Sequence, residues 1–246
     1  MKYIEDFGKY VLLLRSAIFA RPEKFSMYGK EILRQMHDIG IGSLVIVAII
    51  SAFMGAVTAI QFAYQLDGGF IPMYYVGYIV RDTMIIELAP TVTCLVLAGK
   101  VGSNMAAEIG GMRQKEQIDA LEIMGVNTAS YLIMPKIIAA LFVIPLLVIL
   151  AAFLGIIGGY IAATGTGYIT GGQYEMGLLS FYDPYFVFMM IVKSIVFAFI
   201  LTSVSCYQGY YVSGGSIELG KSSTQAVVLS DILILCADYV VAMILT

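Results

Sequence analysis

From Ile39 to Leu66 the chain runs 28 residues without a charged side chain. About 20 apolar residues suffice to cross a bilayer as a helix. Four further apolar stretches follow. Residues 71–99 are interrupted by Arg81, Asp82, Glu87 and Pro90, and residues 126–163 carry one charge, Lys136, besides Pro135 and Pro145. Residues 184–211 enclose Lys193, and residues 224–246 enclose Asp231 and Asp238. The pattern predicts five membrane-spanning helices with these boundaries. At 1.5 Å per residue the third would be about 57 Å long against a hydrocarbon core of about 30 Å, so its first part is expected to project as a cytoplasmic stem.

Ahead of the spans, Tyr3, Ile4, Phe7, Tyr10, Val11, Leu14 and Ile18 recur at helical spacing, with Lys2, Lys9 and Arg15 between them. A second short helix is expected from Pro22, a favoured first helical residue, to about His37. Residues 1–38 therefore read as amphipathic helices lying in the membrane interface. A soluble, partner-binding helix pair would show the same periodicity. Arg15 breaks the apolar stretch VLLLRSAIFA, so a signal peptide is not expected.

Composition agrees with the pattern. The 246 residues are 60% hydrophobic and 13% charged, against about 25% charged in soluble domains. The fold class expected is an all-α integral membrane protein, a single membrane domain over 1–246. Charge placement gives its orientation. Seven of the 14 Lys and Arg fall in the first 34 residues, and Lys100, Arg113, Lys115 and Lys221 lie in segments 100–125 and 212–223. Segments 67–70 and 164–183 have none. The positive-inside rule then predicts a cytoplasmic N-terminus and an outer C-terminus, with Tyr74, Tyr75, Tyr78, Tyr182 and Tyr185 as an aromatic belt near the outer surface. Gly155 and Gly159 stand at G-x-x-x-G spacing after Ala151. This suits close helix packing, although glycine enrichment in membrane helices gives the same pattern.

Candidate chemistry is sparse. Cys94, Cys206 and Cys236 lie in apolar surroundings without C-x-x-C spacing and read as small core residues. With a single His and isolated cysteines, a metal set is not expected. Asp231 and Asp238, seven apart, are separated by about 10.5 Å along a helix, too far to share a proton. No enzyme is indicated. One motif points elsewhere: GSIELGKS, Gly215 to Ser222, fits the phosphate-loop pattern G-x-x-x-x-G-K-S/T. A true phosphate loop joins a strand to a helix in an α/β domain. Here about a dozen residues between two spans leave no room for one. The stretch reads as a cytoplasmic turn in which Ser222 and Ser223 cap the last helix.

The segment 100–125 is the longest polar interruption after the N-terminus. A helix between Arg113 and Met124 is expected to carry Ile118, Leu121 and Met124 on one side. Such a helix, held between glycine turns, suits docking into another protein's groove. A solvated surface loop is equally compatible with the periodicity. Inside the spans, Glu87, Lys193 and Asp238 are costly unless they face a bundle interior or wet cavity. Lys193 and Asp238 each lie about 12 Å from the outer end of their spans, which allows them to pair. A polar lining for a lipid head group and structural ion pairing both remain open. Arg81 and Asp82 are expected to snorkel or pair locally.

These residues also carry a resemblance. AAEIGGMRQKEQIDALEIMG, with IELAPTVTCLVLAGKVGS before it, is similar to the signature of the MlaE family, permease subunits of ABC-type phospholipid transporters that work with MCE proteins. KSIVFAF, YQGYYVSGGSIELGKSSTQAVV and ADYVVAMIL resemble that family's last two spans and the loop between them, so the likeness runs from about residue 5 to the end. It implies a homodimer in the bacterial inner membrane whose two copies enclose a lipid cavity, with Glu87, Lys193 and Asp238 matching residues that line or support it. It implies a coupling helix between spans two and three, with Glu108, Gly110, Gly111, Met112, Glu116, Gln117, Asp119 and Glu122 transmitting ATPase movement. It also implies two cytoplasmic ATPase subunits that bind ATP and Mg, a periplasmic ring of MCE subunits, and no cofactor in this chain or nucleic-acid partner. The function implied is phospholipid movement that helps maintain outer-membrane asymmetry. Another amphiphile, such as a sterol, or a channel or scaffold role would suit the apolar spans as well.

Overall fold

The computed structural model describes residues 2–19, 25–69 and 71–245, and among these it is helical without strands. The elements are α1 (Lys2–Phe19), α2 (Phe25–Leu66), α3 (Tyr75–Thr83), a π-helical segment (Met84–Leu88), α4 (Ala89–Leu97), a second π segment (Ala98–Gly102), α5 (Ser103–Gln114), α6 (Gln117–Ile123), α7 (Thr128–Gly165), α8 (Gly171–Leu179), α9 (Tyr185–Tyr210) and α10 (Ser216–Leu245). Among the described residues five stretches are long and apolar enough to cross a membrane: Tyr28–Leu66, Tyr75–Gln114, Thr128–Gly165, Tyr185–Tyr210 and Ser216–Leu245. The chain is a multi-pass membrane protein. Pro22 and Thr246, expected to open one helix and close another, lie outside the described residues.

The spans are longer than their apolar runs. The polar helix expected to end near His37 does not end there: α2 is one helix of 42 residues. Hydropathy changes near Ile39, but no proline falls between Phe25 and Leu66, and a change of polarity alone does not break a backbone ladder. The helix stops where Gly68 takes a left-handed φ of 75°. Likewise α10 begins at Ser216, eight residues before the expected Thr224. Its entry is fixed by Glu218, whose carboxylate accepts from the Gly215 N–H at 3.1 Å. GSIELGKS therefore forms a turn and the opening of a helix. The Leu219 N–H is spent on Gly215 O at 3.1 Å. Ser222 and Ser223 are not caps: they lie inside α10 and donate to Gln208 O (2.7 Å) and Leu219 O (3.1 Å).

Contacts group the chain into two compact units. The first comprises Met1–Ser43, Cys94–Ile144 and Val196–Val240. Its core includes Leu13 and Ala17 of α1, Ile109 of α5, Ile118 of α6, Ile133 and Ile137 of α7, and Cys206 of α9. The amphipathic α1 is pinned by Tyr10, whose hydroxyl lies 2.8 Å from Ser203 Oγ, and by Tyr207, which donates to Asp6 O at 3.1 Å. Burial pushes the Tyr10 phenol up, so it stays protonated for that bond. Phe7, Val11 and Leu12 remain exposed on its other side, as an interfacial helix requires. Gly209 brings α9 against α5: a Cβ there would stand 2.6 Å from Ala106 O.

The second unit comprises Leu44–Thr93, Pro145–Ile195 and Val241–Thr246. Here the G-x-x-x-G stretch is a packing surface. A side chain on Gly55 of α2 would collide with the Gly155 carbonyl of α7, and one on Gly158 with the Ala52 carbonyl. An unexpected element, α8, opens with a capping box between Thr170 and Gln173. Gly77 of α3 abuts the Tyr174 carbonyl and Gly177 of α8 abuts the Tyr74 carbonyl. Tyr174 is fully buried and donates to Ile156 O at 3.2 Å. Arg81 completes the joint. Its Nη1 donates to Leu178 O (2.5 Å) and Ser180 O (2.9 Å), its Nη2 to Phe181 O (3.2 Å) and its Nε to Asp82 Oδ1 (2.8 Å). The buried guanidinium thus pairs locally and satisfies the carbonyl end of α8, where a cation also opposes the helix dipole.

Candidate functional site

The backbone under Glu87 is set by Pro90. A proline supplies no N–H for the i→i−4 ladder. Upstream of it the helix widens into the π segment Met84–Leu88, with the Ala89 N–H reaching back to Met84 O. π segments of this kind recur at functional sites. Glu87 lies 12 residues past Tyr75 and Lys193 eight past Tyr185, so they sit about 18 and 12 Å into their spans. The Lys193 ammonium donates to Glu87 Oε2 at 2.7 Å. The two side chains differ in exposure, 0% for Lys193 and 48% for Glu87. The lysine is therefore a fully desolvated cation neutralised by a carboxylate that reaches the protein surface. Chemically, the arrangement holds opposite charges at a fixed spacing within an apolar span, suited to recognising a polar group rather than breaking bonds. Lys193 thus has a partner in Glu87, and Asp238, the residue expected to pair with it, is a buried residue of α10.

The segment expected to couple to a partner is helical almost throughout. α4, the second π segment and α5 continue the second span to Gln114, so the expected boundary at Gly99 falls within a helix. The direction then changes at Glu116, whose φ of 56° is left-handed, and α6 ends at Gly125 with φ 82°. The expected apolar face is split: Ile118 is fully buried in the core, whereas Met124 points outward with its neighbour Ile123, 88% exposed.

The acidic residues of this segment mostly serve the chain itself. Asp119 pairs with Arg113 at 2.7 Å and ties α6 to α5. Glu122 accepts from Thr128 Oγ1 (3.0 Å) and the Tyr210 hydroxyl (3.1 Å), tying α6 to α7 and α9. Glu108 pairs at 2.5 Å with Lys136, a buried residue of α7. Gly110 faces Leu219 and Val212, and Met112 packs on the core of the first unit. Of the expected set Glu108, Glu116, Gln117 and Glu122 are exposed, and Gly111 is half-buried with open space at its Cα. Sequence reasoning placed Met124 on the apolar face but missed Ile123 beside it. It also gave no role to Lys136, although that residue is the single charge between Val126 and Ala163.

Residues 32–244 match the model of the family described as Permease MlaE. A probable ABC transporter permease protein of Rickettsia bellii is 35% identical over 243 residues, covering 98% of this chain and 92% of the relative. The intermembrane phospholipid transport system permease protein MlaE of Haemophilus influenzae is 28% identical, covering 99% and 95%. The chloroplastic protein TRIGALACTOSYLDIACYLGLYCEROL 1 of Arabidopsis thaliana is 28% identical, covering 96% of this chain and 67% of its own length.

Proposed function

Because this chain belongs to the MlaE permease family, we propose that it is the membrane subunit of an ABC-type transporter that moves phospholipid between the bacterial inner membrane and a periplasmic MCE protein, helping to maintain outer-membrane asymmetry. The observation that carries this reading is the Glu87–Lys193 pair, one member fully buried and the other half-exposed within the spans. A pair of this kind can offer both signs to a phosphate-bearing head group while acyl chains remain among apolar side chains. The name of the Haemophilus relative supports phospholipid as the cargo.

In this reading the chain works as a homodimer enclosing the lipid, with Asp238 as a further polar contributor. The N-terminus and α6 are cytoplasmic and the C-terminus periplasmic, in keeping with the distribution of Lys and Arg. ATP and Mg are bound by separate ATPase subunits. Ile123 and Met124 enter a groove of the ATPase, flanked by Glu116 and Gln117, while Asp119 and Glu122 hold α6 rigidly to α5, α7 and α9 and Glu108 holds α5 to α7. ATPase closure is thereby passed to the spans. The test is lipid transfer by the reconstituted complex, with mass spectrometry of the lipids and proteins that copurify with the tagged chain. Glu87→Ala and Lys193→Ala should impair transfer while the chain still inserts. Wild-type transfer by both variants, or a chain that carries neither phospholipid nor an ATPase, would defeat the reading.

A further inference from the structure

A cavity of about 610 Å³ opens within the first unit, away from the Glu87–Lys193 pair. Its polar lining comes from Asp38 and Ser43 of α2, Lys100 of the second π segment, Asn104 and Glu108 of α5, and Ser223 of α10. Two features mark it as built for a ligand. Ser43 is fully buried, yet its Oγ has no hydrogen-bond partner among the described residues. A buried hydroxyl is costly to leave unpaired. Lys100 is the second feature. It sits on a π segment, Ala98–Gly102, that contains no proline to explain the widening. Its ammonium donates to the carbonyl of Gly42, the residue before Ser43. Of the three donors of an ammonium, that leaves others for a ligand.

The depth of the cavity narrows the choice of ligand. Lys100 lies 25 residues past Tyr75, about 37 Å along the helix. Gly42 lies 24 residues before Leu66, about 36 Å along its own. Both distances exceed a hydrocarbon core of about 30 Å and fall within the about 40–45 Å that includes head groups. The cavity is therefore level with the head groups of the leaflet on the lysine-rich side. Its lining also carries both signs, Lys100 against Asp38, while Glu108 is neutralised by Lys136. A lone anion would meet repulsion from the Asp38 carboxylate; a group with a phosphate beside a primary amine satisfies both.

We propose that this cavity is a second lipid site, which takes the phosphoethanolamine head of a phospholipid from that leaflet. The phosphate is held by Lys100 and the Ser43 hydroxyl, and the amine by Asp38. The proposal rests on the reading of the chain as a phospholipid permease and adds to it a place where lipid is held on the face opposite the periplasmic acceptor.

The test is native mass spectrometry of the full chain released from nanodiscs of phosphatidylcholine containing equal minor fractions of phosphatidylethanolamine and phosphatidylglycerol. Phosphatidylethanolamine should be retained in preference to both. Lys100→Met and Asp38→Asn should each reduce that retention about tenfold, as expected for loss of a charge-assisted bond. Lys100→Arg should keep most of it, which separates lost binding from lost folding. Retention independent of head group, or unchanged in both Lys100→Met and Asp38→Asn, overturns the proposal. Retention abolished by Glu87→Gln but not by Lys100→Met overturns it while leaving the transport reading in place. Lys100-dependent retention alongside wild-type transfer by the Glu87 variants supports it and removes that reading instead. Excess soluble phosphoethanolamine should displace the lipid. Equal displacement by inorganic phosphate would assign the cavity to a free anion and overturn the lipid site.

Discussion

Removing Glu87 and removing Lys193 should have unequal consequences. The pair is 2.7 Å apart, with the lysine side chain 0% and the glutamate 48% exposed. In Glu87→Ala the fully buried ammonium loses this carboxylate. Stripping one partner from a buried pair costs about 3–5 kcal/mol. The half-exposed glutamate already shares its charge with the surroundings, so the lower end, about 3 kcal/mol, applies. At about 2–4 °C per kcal/mol for a chain of this size, the midpoint of thermal unfolding should fall by about 6–12 °C. In Lys193→Met the remaining carboxylate reaches the surface, and the fall should be less than half as large. The double variant Glu87→Met/Lys193→Met replaces the pair with apolar side chains and should unfold close to the wild-type temperature. Lipid transfer, by contrast, should be lost in all three, because the charges that meet the head group are gone. The assays are thermal unfolding in detergent and transfer in reconstituted vesicles. A double variant that regains transfer would make the pair purely structural. A Glu87→Ala chain with the wild-type midpoint would refute the energetic reasoning.

Four further outcomes follow from the geometry. Gly55→Ala should lower stability by about 1–3 kcal/mol, measured by thermal unfolding, because the added methyl meets the Gly155 carbonyl with no side chain able to yield. Arg81→Met should strip the guanidinium donor from Leu178 O, Ser180 O and Phe181 O, so amide exchange over 171–181 should speed up by at least about tenfold, given about 1.5–3 kcal/mol per bond to a charged group. Ile123→Asp or Met124→Asp should reduce copurification of the ATPase by about tenfold without lowering the unfolding temperature, as for a hot-spot side chain. Glu122→Gln should show the reverse, lower stability with the ATPase retained, since its carboxylate serves Thr128 and Tyr210.

The five spans were legible because the energy that selects them is read directly from composition: a charge-free run such as 39–66 has no alternative to the bilayer. The ends of the helices were not. Hydropathy marks where the membrane stops, whereas a helix stops where its backbone is broken, and those events are separated by many residues in α2 and α10. The breaks that do occur lie at Gly68, Glu116 and Gly125. A left-handed glycine can be guessed from sequence, but a left-handed glutamate cannot. The element α8 was hidden for another reason. It has nine residues, too few to register as a periodic pattern, and it is held by contacts with α3 that lie about a hundred positions away in the chain.

The site shows the same division between what is local and what is not. That Glu87, Lys193 and Arg81 needed partners followed from their depth alone, since an unpaired charge there is too costly to persist. Which partner each took depended on distances across helices. Depth along the span suggested Asp238 as a partner for Lys193, and the structure adds a bond to Glu87 at 2.7 Å. Pro90 was the local signal that favoured it: by widening the helix over Met84–Leu88, it changes the direction in which residue 87 projects. In the segment from Glu108 to Glu122 three of the acidic residues expected to form a docking face also bond within the chain, to Lys136, Arg113, Thr128 and Tyr210. Beside them Ile123 and Met124 are exposed apolar side chains. A helix fixed on three sides by polar bonds and presenting Ile123 and Met124 outward can receive a push from a partner without bending, which a face of solvated carboxylates could not do.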